Sequence, residues 1–287
     1  MKRLGVLITL ICLIVFVQPA NAIKIGLITN ANSFRVGAST YAGIINSHTN
    51  RTIYTLGPMR NYEFKAYEDN ILIKIGGKYY SLDTDELAIR PENNGFVSAK
   101  NSWYRGIFII KNINGSLVLI NKLSIEEYIQ GVVPAEMPPS WQYEALKAQA
   151  IAARSYALAN LGKRGANGYD LKDTPEDQAY KGASAETTQT NQAVSDSYGI
   201  VLIYDLKIIP AYYSASAGGQ SKTWERDLPY IRSVPSYDGN VKKNGHGVGM
   251  SQHGANNLAK EGYNAYQILQ YFYKDIRFAR IKQEYYK

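Results

Sequence analysis

Cysteine is nearly absent from the chain, which has one, Cys12, among 287 residues. That cysteine lies in an apolar run near the N-terminus that we expect to be removed. The remaining chain would then form no disulfide, no thiolate metal site and no cysteine nucleophile. Without disulfides the fold depends on its core, and a chain of this length can bury one.

Long hydrophobic runs are also scarce, and the one present covers residues 4–17 after a basic start. The small residues Ala20-Asn21-Ala22 follow it, as at a signal-peptidase site. A run of 14 residues is shorter than the roughly 20 that a spanning helix needs, which favours a cleaved signal over an anchor. We expect residues 1–22 to be a signal peptide and the chain to be exported to the periplasm, envelope or exterior, with only transient membrane contact.

Acidic residues are the minority charge, with 24 Asp and Glu against 32 Lys and Arg and a formal charge of +8. An exported basic protein is expected to meet anionic partners such as wall polymers or lipid head groups. The basic residues are scattered, and this argues against nucleic acid. Tyrosines outnumber phenylalanines 24 to 7. Their rings suit sugars, but half-buried strand positions are the favoured interpretation for most of them.

No internal repeat or low-complexity tract interrupts the chain, and its hydrophobic period changes once. Residues 23–122 are predicted to be β-rich, with hairpins turning at Gly76-Gly77 and Asn114-Gly115. An alanine-rich helix is predicted over 141–161, with Ser140 as its N-cap.

The elements predicted after this helix are a helix at about 184–197, a hairpin turning near 205–207, a short helix ending at Gly262, and a last helix capped by Asn264. The order predicts an α+β fold. Its β-rich N-terminal part is followed by the alanine-rich helix and a mixed C-terminal part enclosing a groove. We expect 23–122 and 123–287 to be two parts of one domain.

Glu136 is the first candidate functional residue, because it lies in the apolar stretch VVPAEMPPSW at 132–141. Three prolines restrict the backbone around it. Apolar neighbours raise the pKa of a carboxyl group, as a general acid near neutral pH requires. A structural carboxylate tied to a nearby cation is the open alternative.

Lys147 and Arg154 are predicted to project from one side of the alanine-rich helix, about two turns apart. They could bind anionic groups of a ligand or neutralise Glu136. An ordinary solvated helix face is the alternative.

The stretch YYSASAGGQS at 212–221 ends a predicted strand in small hydroxyl residues and glycines. Such a segment exposes hydroxyls and backbone N–H groups that suit a sugar or a peptide, although a simple loop has the same composition. Tyr213, Ser214 and Ser216 are its candidate binding residues.

The stretch GHGVGMSQHG at 245–254 has four glycines but lacks the G-K-[ST] ending of a phosphate loop. We interpret it as a close-packed backbone that presents His246 and Gln252 as polar contacts. Three histidines without cysteine disfavour a zinc site, and we expect neither metal nor cofactor. A hydrolase using Ser251 or Ser214 lacks the G-x-S-x-G elbow.

Several long blocks together resemble one known family. The block YIQGVVPAEMPPSWQYEALKAQAIAARSYAL at 128–158 resembles the signature of the stage II sporulation protein D and amidase-enhancer family. DQAYKG at 177–182 and the blocks at 192–221 and 245–273 are similar to its later motifs, in the same order. The likeness extends from about residue 23 to 274.

The resemblance implies bacterial cell-wall work, and the best-understood members are lytic transglycosylases that prefer peptidoglycan strands stripped of stem peptides. It implies Glu136 as catalytic acid, with Lys147 and Arg154 at active-site positions. Tyr213, Ser214 and the His246 loop correspond more loosely to groove residues.

Two features depart from the family pattern. Some members hold zinc through cysteines and a histidine, and the cysteines are missing here. The segment between Asp238 and His246 is also shorter than in many members, which predicts a shallower groove.

A single carboxylate is enough for a lytic transglycosylase, because the C6 hydroxyl of the muramic sugar is the nucleophile. A glycosidase needs a second carboxyl group, for which Asp177, Glu225 and Asp227 are weaker candidates. A non-catalytic protein that recruits or activates an N-acetylmuramoyl-L-alanine amidase is the other alternative.

Overall fold

The structure is a computed structural model that describes residues 22–224 and 228–281, and these form two compact units. The β-rich unit comprises residues 22–141 and 160–195. The mixed unit comprises 142–159 and the described residues from 196 to 281. Residues 1–21 of the predicted signal peptide lie outside the described residues, as do the alternative carboxylates Glu225 and Asp227.

Thirteen strands build the β-rich unit. They are β1 (Ile23–Ala31), β2 (Ser33–Ala38), β3 (Ala42–Asn46), β4 (Thr52–Leu56), β5 (Arg60–Tyr67), β6 (Asn70–Ile75), β7 (Lys78–Ser81), β8 (Glu86–Pro91), β9 (Val97–Ala99), β10 (Ser102–Tyr104), β11 (Ile107–Ile113), β12 (Ser116–Leu123) and β13 (Leu171–Lys172). Seven form a sheet in the order β13-β1-β12-β11-β8-β3-β4, and six form a second sheet in the order β10-β9-β2-β5-β6-β7. Neighbouring strands are antiparallel except β1 and β13, which are parallel.

The two sheets contact each other through β11 with β6 and β12 with β5. Alternate strand positions supply the core, as a period of two residues requires. Phe64 and Ile71 of the six-stranded sheet, and Phe108 and Leu119 of the seven-stranded sheet, are fully buried.

Both hairpins predicted in this unit are confirmed. β6 and β7 are joined by Gly76 and Gly77, and β11 and β12 by Asn114 and Gly115. All four turn residues have positive φ angles between 51° and 84°, the conformation that two-residue hairpin turns require.

The helices are α1 (Ile125–Glu136), α2 (Tyr143–Ala159), α3 (Thr188–Asp196), α4 (Gln252–Lys260) and α5 (Ala265–Phe272). The strands of the mixed unit are β14 (Ile200–Tyr204), β15 (Lys207–Ile208), β16 (Tyr213–Ser214), β17 (Met250–Ser251) and β18 (Arg277–Arg280). β14 lies between β15 and β18 in an antiparallel sheet, and β16 pairs with β17 in parallel. The α+β prediction is confirmed.

The sequence interpretation missed α1. Ser124 caps it in a reciprocal capping box with Glu127, and such a box satisfies two backbone donors at the helix start. Pro134 lies inside the last turn. There the helix tolerates a missing N–H because the next turn still closes, with Met137 donating to the Val133 carbonyl at 2.9 Å.

The prediction that Ser140 caps α2 is wrong, because the helix begins three residues later at Tyr143. Ser140 is taken up by a turn in which the Trp141 N–H donates to the Pro138 carbonyl at 3.0 Å. The Leu146 N–H then donates to the Gln142 carbonyl and opens the helix.

The slim face of α2 packs as its alanines predict. Ala145, Ala148 and Ala152 are fully buried, and α2 contacts α4, α5 and β14. Ser155 joins helix to sheet, since its hydroxyl donates to the Ile151 carbonyl and accepts from the Leu202 N–H at 2.9 Å.

The C-terminal elements follow their predicted boundaries closely. Asp205 and Leu206 turn the β14–β15 hairpin with positive φ angles. Gly262 follows α4 at φ +91°, and Asn264 caps α5 in a capping box with Gln267. Within the described residues, no helix has the length and apolar character to span a bilayer.

Candidate functional site

Glu136 is the last residue of α1 in the β-rich unit, and its side chain is half-buried. Its Oε1 accepts a hydrogen bond from the Ala179 N–H at 2.7 Å. A backbone donor fixes the orientation of a carboxyl group. The residue is therefore held in place while part of its surface faces solvent.

Ala179 belongs to segment 177–182, which packs along α1. Gly131 makes this approach close, because a Cβ there would lie 2.5 Å from the Tyr180 ring. The Lys181 N–H donates to the Gly131 carbonyl at 3.3 Å, and the hydroxyl of Tyr128 donates to the Gln178 amide oxygen at 3.2 Å. The contacts of α1 thus set the position of the N–H that binds Glu136.

Tyr180 anchors the middle of segment 177–182. Its ring packs against Tyr128 at 5.0 Å and Tyr104 at 5.8 Å between centroids. Its hydroxyl donates to the Asn121 amide oxygen at 2.8 Å. Burial raises the pKa of this phenol well above its usual value, so Tyr180 remains a neutral donor.

Asp177 begins the segment and is engaged by several donors. The Nε of Arg164 and the Nζ of Lys163 each lie 2.6 Å from its carboxylate, and the Lys172 N–H donates to it at 2.8 Å. Burial raises the pKa of Asp177, but these donors together outweigh burial and hold the pKa below its usual value. An ionised, surrounded carboxylate of this kind is suited to fixing the segment and not to donating a proton.

Lys147 and Arg154 lie in the mixed unit and have different surroundings. Lys147 is half-buried, with its ammonium 5.8 Å from the Tyr266 ring centroid. Arg154 is fully buried, and it donates to the carbonyls of Ala150 and Ile200. The guanidinium thereby connects α2 to β14, and its action on an anionic ligand stays a prediction.

The two small-residue stretches of the mixed unit are brought together, since β16 pairs with β17. Gly249 permits this approach: its φ is +70°, and a Cβ would lie 2.0 Å from the Tyr212 carbonyl oxygen. A Cβ at Gly254 would likewise lie only 1.9 Å from the Ser236 carbonyl oxygen. A close-packed backbone is what the four glycines of 245–254 predicted.

Asp238 is the hub of these loops and is 1% exposed. The N–H groups of Ala217 and Gly219 donate to it at 2.6 and 2.7 Å, and the hydroxyls of Ser236 and Ser251 donate as well. Burial raises the pKa of Asp238, and the four donors more than reverse this, so its pKa lies below the usual value.

Ser214, Ser216 and Gln252 are buried in this arrangement. Ser214 accepts from the Gly247 N–H at 3.2 Å, and Ser216 donates to the Lys242 carbonyl at 2.6 Å. The Gln252 amide lies 3.5 Å from the Gln149 side-chain oxygen. These side chains hold the loops together, and contact with a ligand stays a prediction for each of them.

His246 is exposed at the tip of the glycine-rich loop, beside aromatic residues. Its ring lies edge-on to Trp224 at 5.8 Å and to Tyr212 at 6.2 Å, and those two rings stack at 4.6 Å. Its Nδ1 accepts from the Val248 N–H at 3.0 Å. Loss of solvation against its neighbours, with the charge of Lys243, lowers the pKa of His246. The ring is therefore neutral near pH 7.

Tyr213 is half-exposed beside this cluster, with its ring 6.5 Å from that of Tyr156. Among residues 22–224 and 228–281, no group of three His, Cys, Asp or Glu side chains is arranged to hold a metal ion.

Three groups of the candidate site were not predicted from the sequence. The Ala179 N–H is a backbone group, although the DQAYKG motif marked its segment. Asp238 carried no distinguishing neighbours in the sequence. Trp224 lies ten or more residues from its partners Tyr212 and His246 along the chain, and only the fold places the rings together.

Residues 113–204 match a family model described as SpoIID, stage II sporulation protein. An uncharacterized protein of Brachyspira hyodysenteriae is 32% identical over 202 residues, 64% of this chain and 54% of that protein.

Two relatives come from Bacillus subtilis. The amidase enhancer is 40% identical over 107 residues, which are 36% of this chain and 14% of that protein. Stage II sporulation protein D is 30% identical over 177 residues, 54% of this chain and 50% of that protein. The chain thus spans about half the length, or less, of the curated relatives it matches.

Proposed function

We propose that this chain, which carries a domain of the stage II sporulation protein D and amidase-enhancer family, cleaves peptidoglycan glycan strands by lytic transglycosylation. The names of the relatives support a cell-wall function. The observation that carries the chemistry is Glu136, a half-buried carboxylate at a helix end whose Oε1 is oriented by the Ala179 N–H. We also propose that the protein acts after export to the cell envelope.

The reaction requires one group that first gives and then takes a proton. In the protonated state, Glu136 donates to the oxygen that links C1 of N-acetylmuramic acid to O4 of the next N-acetylglucosamine. The C1–O4 bond breaks, and the muramic C6 hydroxyl attacks C1 while the Glu136 carboxylate accepts its proton. The products are a 1,6-anhydro end and a new O4 hydroxyl, and no water is consumed.

Segment 177–182 supports this role of Glu136. Ala179 binds Oε1, so rotation of the carboxyl group about its last torsion is restricted. Restricting a catalytic group in advance lowers the entropy lost at the transition state. Lys147, Tyr213 and His246 are the exposed or half-exposed candidates for contacts with the sugar chain.

An activator of an N-acetylmuramoyl-L-alanine amidase is the second candidate function. It is favoured by the relative called amidase enhancer, which is 40% identical over the region that it shares. In this alternative the protein binds the wall, and a partner amidase performs the cleavage.

The test is to incubate the purified chain with stem-free glycan strands and to identify the fragments by mass spectrometry. We expect 1,6-anhydro ends from the wild type and none from Glu136→Gln. Glu144→Gln is the matched control, because that carboxylate also accepts one backbone N–H, from Ala265 at 2.7 Å. It should retain activity, and thermal unfolding should show both variants folded.

Other products point elsewhere. Reducing ends instead of anhydro ends would identify a hydrolase with a second carboxylate. An absence of cleavage, together with faster turnover by an added cell-wall amidase, would establish the activator and refute the transglycosylase. Full activity in Glu136→Gln would exclude this residue as the acid.

A further inference from the structure

A cleft of about 710 Å³ opens on the six-stranded sheet of the β-rich unit. It is lined by β2, β5, β9, β10 and the turn between the last two. Its volume falls within the range of roughly 300–1,000 Å³ that is typical of ligand sites. All of its lining residues precede residue 113, so none belongs to the region matched by the family model.

Three lining residues, Asn61, Ser98 and Trp103, stand in one row with Gly37, which lies beneath the lining. Asn61 of β5 lies opposite Gly37 of β2, which lies opposite Ser98 of β9, which in turn lies opposite Trp103 of β10. Residues opposite each other across a sheet point to the same face. The row therefore presents an amide, a hydroxyl and an indole side by side.

Gly37 has no side chain, so the surface is recessed at the middle of this row. A Cβ at this position would lie 2.6 Å from the Asn61 Oδ1 and 2.8 Å from the Ser98 Oγ. The two polar side chains thus lean over the glycine from both sides. β10 is an edge strand, and the Trp103 side chain on it is half-exposed.

The charge of the cleft is positive. Its described lining residues include three cations and no carboxylate. Lys100 is largely neutralised, because its ammonium lies 2.5 Å from Asp173. Arg35 and Arg60 are exposed, and neither has an ion pair among the described residues.

Besides Asp173, the acidic residue Glu63 lies next to this surface. Glu63 stands opposite Arg35 in the β2–β5 register. It accepts from the Tyr79 hydroxyl at 2.8 Å and lies 3.9 Å from the Lys74 ammonium. The Glu63 carboxylate is thus already engaged, and the Arg35 guanidinium remains available to an anion.

We propose that this cleft binds an acidic, N-acetylated glycan, with Arg35 and Arg60 pairing with its carboxylates. A flat indole suits the apolar face of a sugar ring, and Asn61 and Ser98 supply donors and acceptors for N-acetyl or hydroxyl groups. Guanidinium groups recognise carboxylates through paired hydrogen bonds.

A stem-free peptidoglycan strand has this chemistry, since each muramic residue carries a lactyl carboxylate once its peptide is removed. The identification of the ligand rests on the proposed function. The site itself rests on the cleft, whose lining does not include Glu136.

The experiment measures binding of a fluorescein-labelled, stem-free glycan strand by fluorescence polarisation, in a Glu136→Gln background that prevents cleavage. We expect Arg35→Glu/Arg60→Glu to weaken binding about tenfold or more, because two charge-assisted contacts become repulsive. The matched control is Lys78→Glu/Lys207→Glu, which makes the same charge change at exposed lysines outside the cleft. It should change the Kd less than about twofold, since exposed charges at a distance are screened.

The ring is tested separately. Trp103→Ala should weaken binding several-fold even at high salt, where the charges are screened, and Trp103→Phe should restore part of the loss. If the arginine reversal unfolds the protein in thermal melts, Arg35→Gln/Arg60→Gln replaces it and should still weaken binding.

Four outcomes would overturn the inference: unchanged binding in both arginine variants, equal binding of a strand whose carboxyl groups are amidated, tighter binding of polyglycerol phosphate, or no binding by the parent protein. The first three leave the outcome of the cleavage assay unchanged, and strand cleavage by the wild type despite an absence of binding by the parent would place the failure in the cleft alone. Failure of the cleft and failure of the proposed reaction are therefore distinguishable.

Discussion

The carboxylate of Asp238 gives the sharpest test of how the loops of the mixed unit are held. In Asp238→Asn one oxygen becomes an amide NH₂ group with nearly the same shape. Oδ1 accepts from Gly219 and Ser236, and Oδ2 accepts from Ala217 and Ser251. Whichever way the amide turns, an N–H donor will face one backbone N–H and one hydroxyl.

The magnitude follows from this geometry. The hydroxyl can rotate and accept, but the backbone N–H cannot, so one buried donor loses its partner. The other bonds lose the charge of their acceptor. A hydrogen bond to a charged group contributes roughly 1.5–3 kcal/mol, and we expect Asp238→Asn to lower the free energy of unfolding by about 3–5 kcal/mol.

The assay is urea unfolding followed by circular dichroism, with Asp69→Asn as the control. Asp69 is exposed in the β5–β6 turn, so its replacement should cost less than about 0.5 kcal/mol. Ser236→Ala removes one donor only and should fall between the two. If Asp238→Asn lowers the free energy of unfolding no more than the control does, Asp238 does not hold these loops together.

Acid provides a second measurement at the same residue. Because the folded-state pKa of Asp238 lies below the usual value, its ionised form stabilises the fold fully above about pH 4, the pKa of an unperturbed Asp. This stability is lost as pH falls through the lower, folded-state pKa. The gap between wild type and Asp238→Asn should therefore narrow below about pH 4, and a gap that stays constant to pH 2 would contradict the assigned direction.

Three further substitutions test backbone, ion-pair and capping contributions. Gly249→Ala should lower the free energy of unfolding in urea by about 3 kcal/mol or more, because a Cβ there would lie 2.0 Å from a carbonyl oxygen. Gly262→Ala has open space around it and should lower the same free energy by about 1 kcal/mol. Equal losses in the two variants would contradict this reasoning. Arg164→Ala should lower the free energy of unfolding by about 1.5–3 kcal/mol, because Asp177 loses one charge-assisted hydrogen bond but keeps those from Lys163 and the Lys172 N–H. A change under about 0.5 kcal/mol would argue against the Arg164–Asp177 ion pair. Ser124→Ala should cost about 1 kcal/mol and speed amide exchange in the first turn of α1, and unchanged exchange would exclude the cap.

Local patterns predicted most elements of the fold. The turns at Gly76-Gly77 and Asn114-Gly115 need positive φ angles, and alternating apolar residues flank them. Asn264 and its partner three residues later form a complete capping signal within four residues. Such signals act over a few neighbours, so the sequence contains all of their physics.

The errors arose where a neighbour in space changed the outcome. The prolines of 132–141 predict a restricted backbone and no helix, yet α1 runs through Pro134 to Glu136. Packing of Gly131 against Tyr180 stabilises that helix from a segment about 50 residues later. No local window contains both partners.

The candidate site was also predicted only in part from the sequence. Glu136 stood out by its apolar setting, and Lys147 and Arg154 by their spacing on one helix. The fold distinguished them: it gave Glu136 a backbone donor from Ala179, left Lys147 half-buried and buried Arg154 completely.

The sequence by itself determined the residue types available for chemistry, the turns, the caps and the α+β order, because each depends on side-chain volume, charge or φ preference over short distances. Tertiary structure alone decided which carboxylates are engaged. Asp177 and Asp238 accept hydrogen bonds from residues that are distant along the chain. The cleft that contains Arg35 exists only because β5, β2, β9 and β10 align in register. Hydrogen-bond partners that are distant along the chain decide whether a carboxylate stabilises the fold or remains available for a reaction.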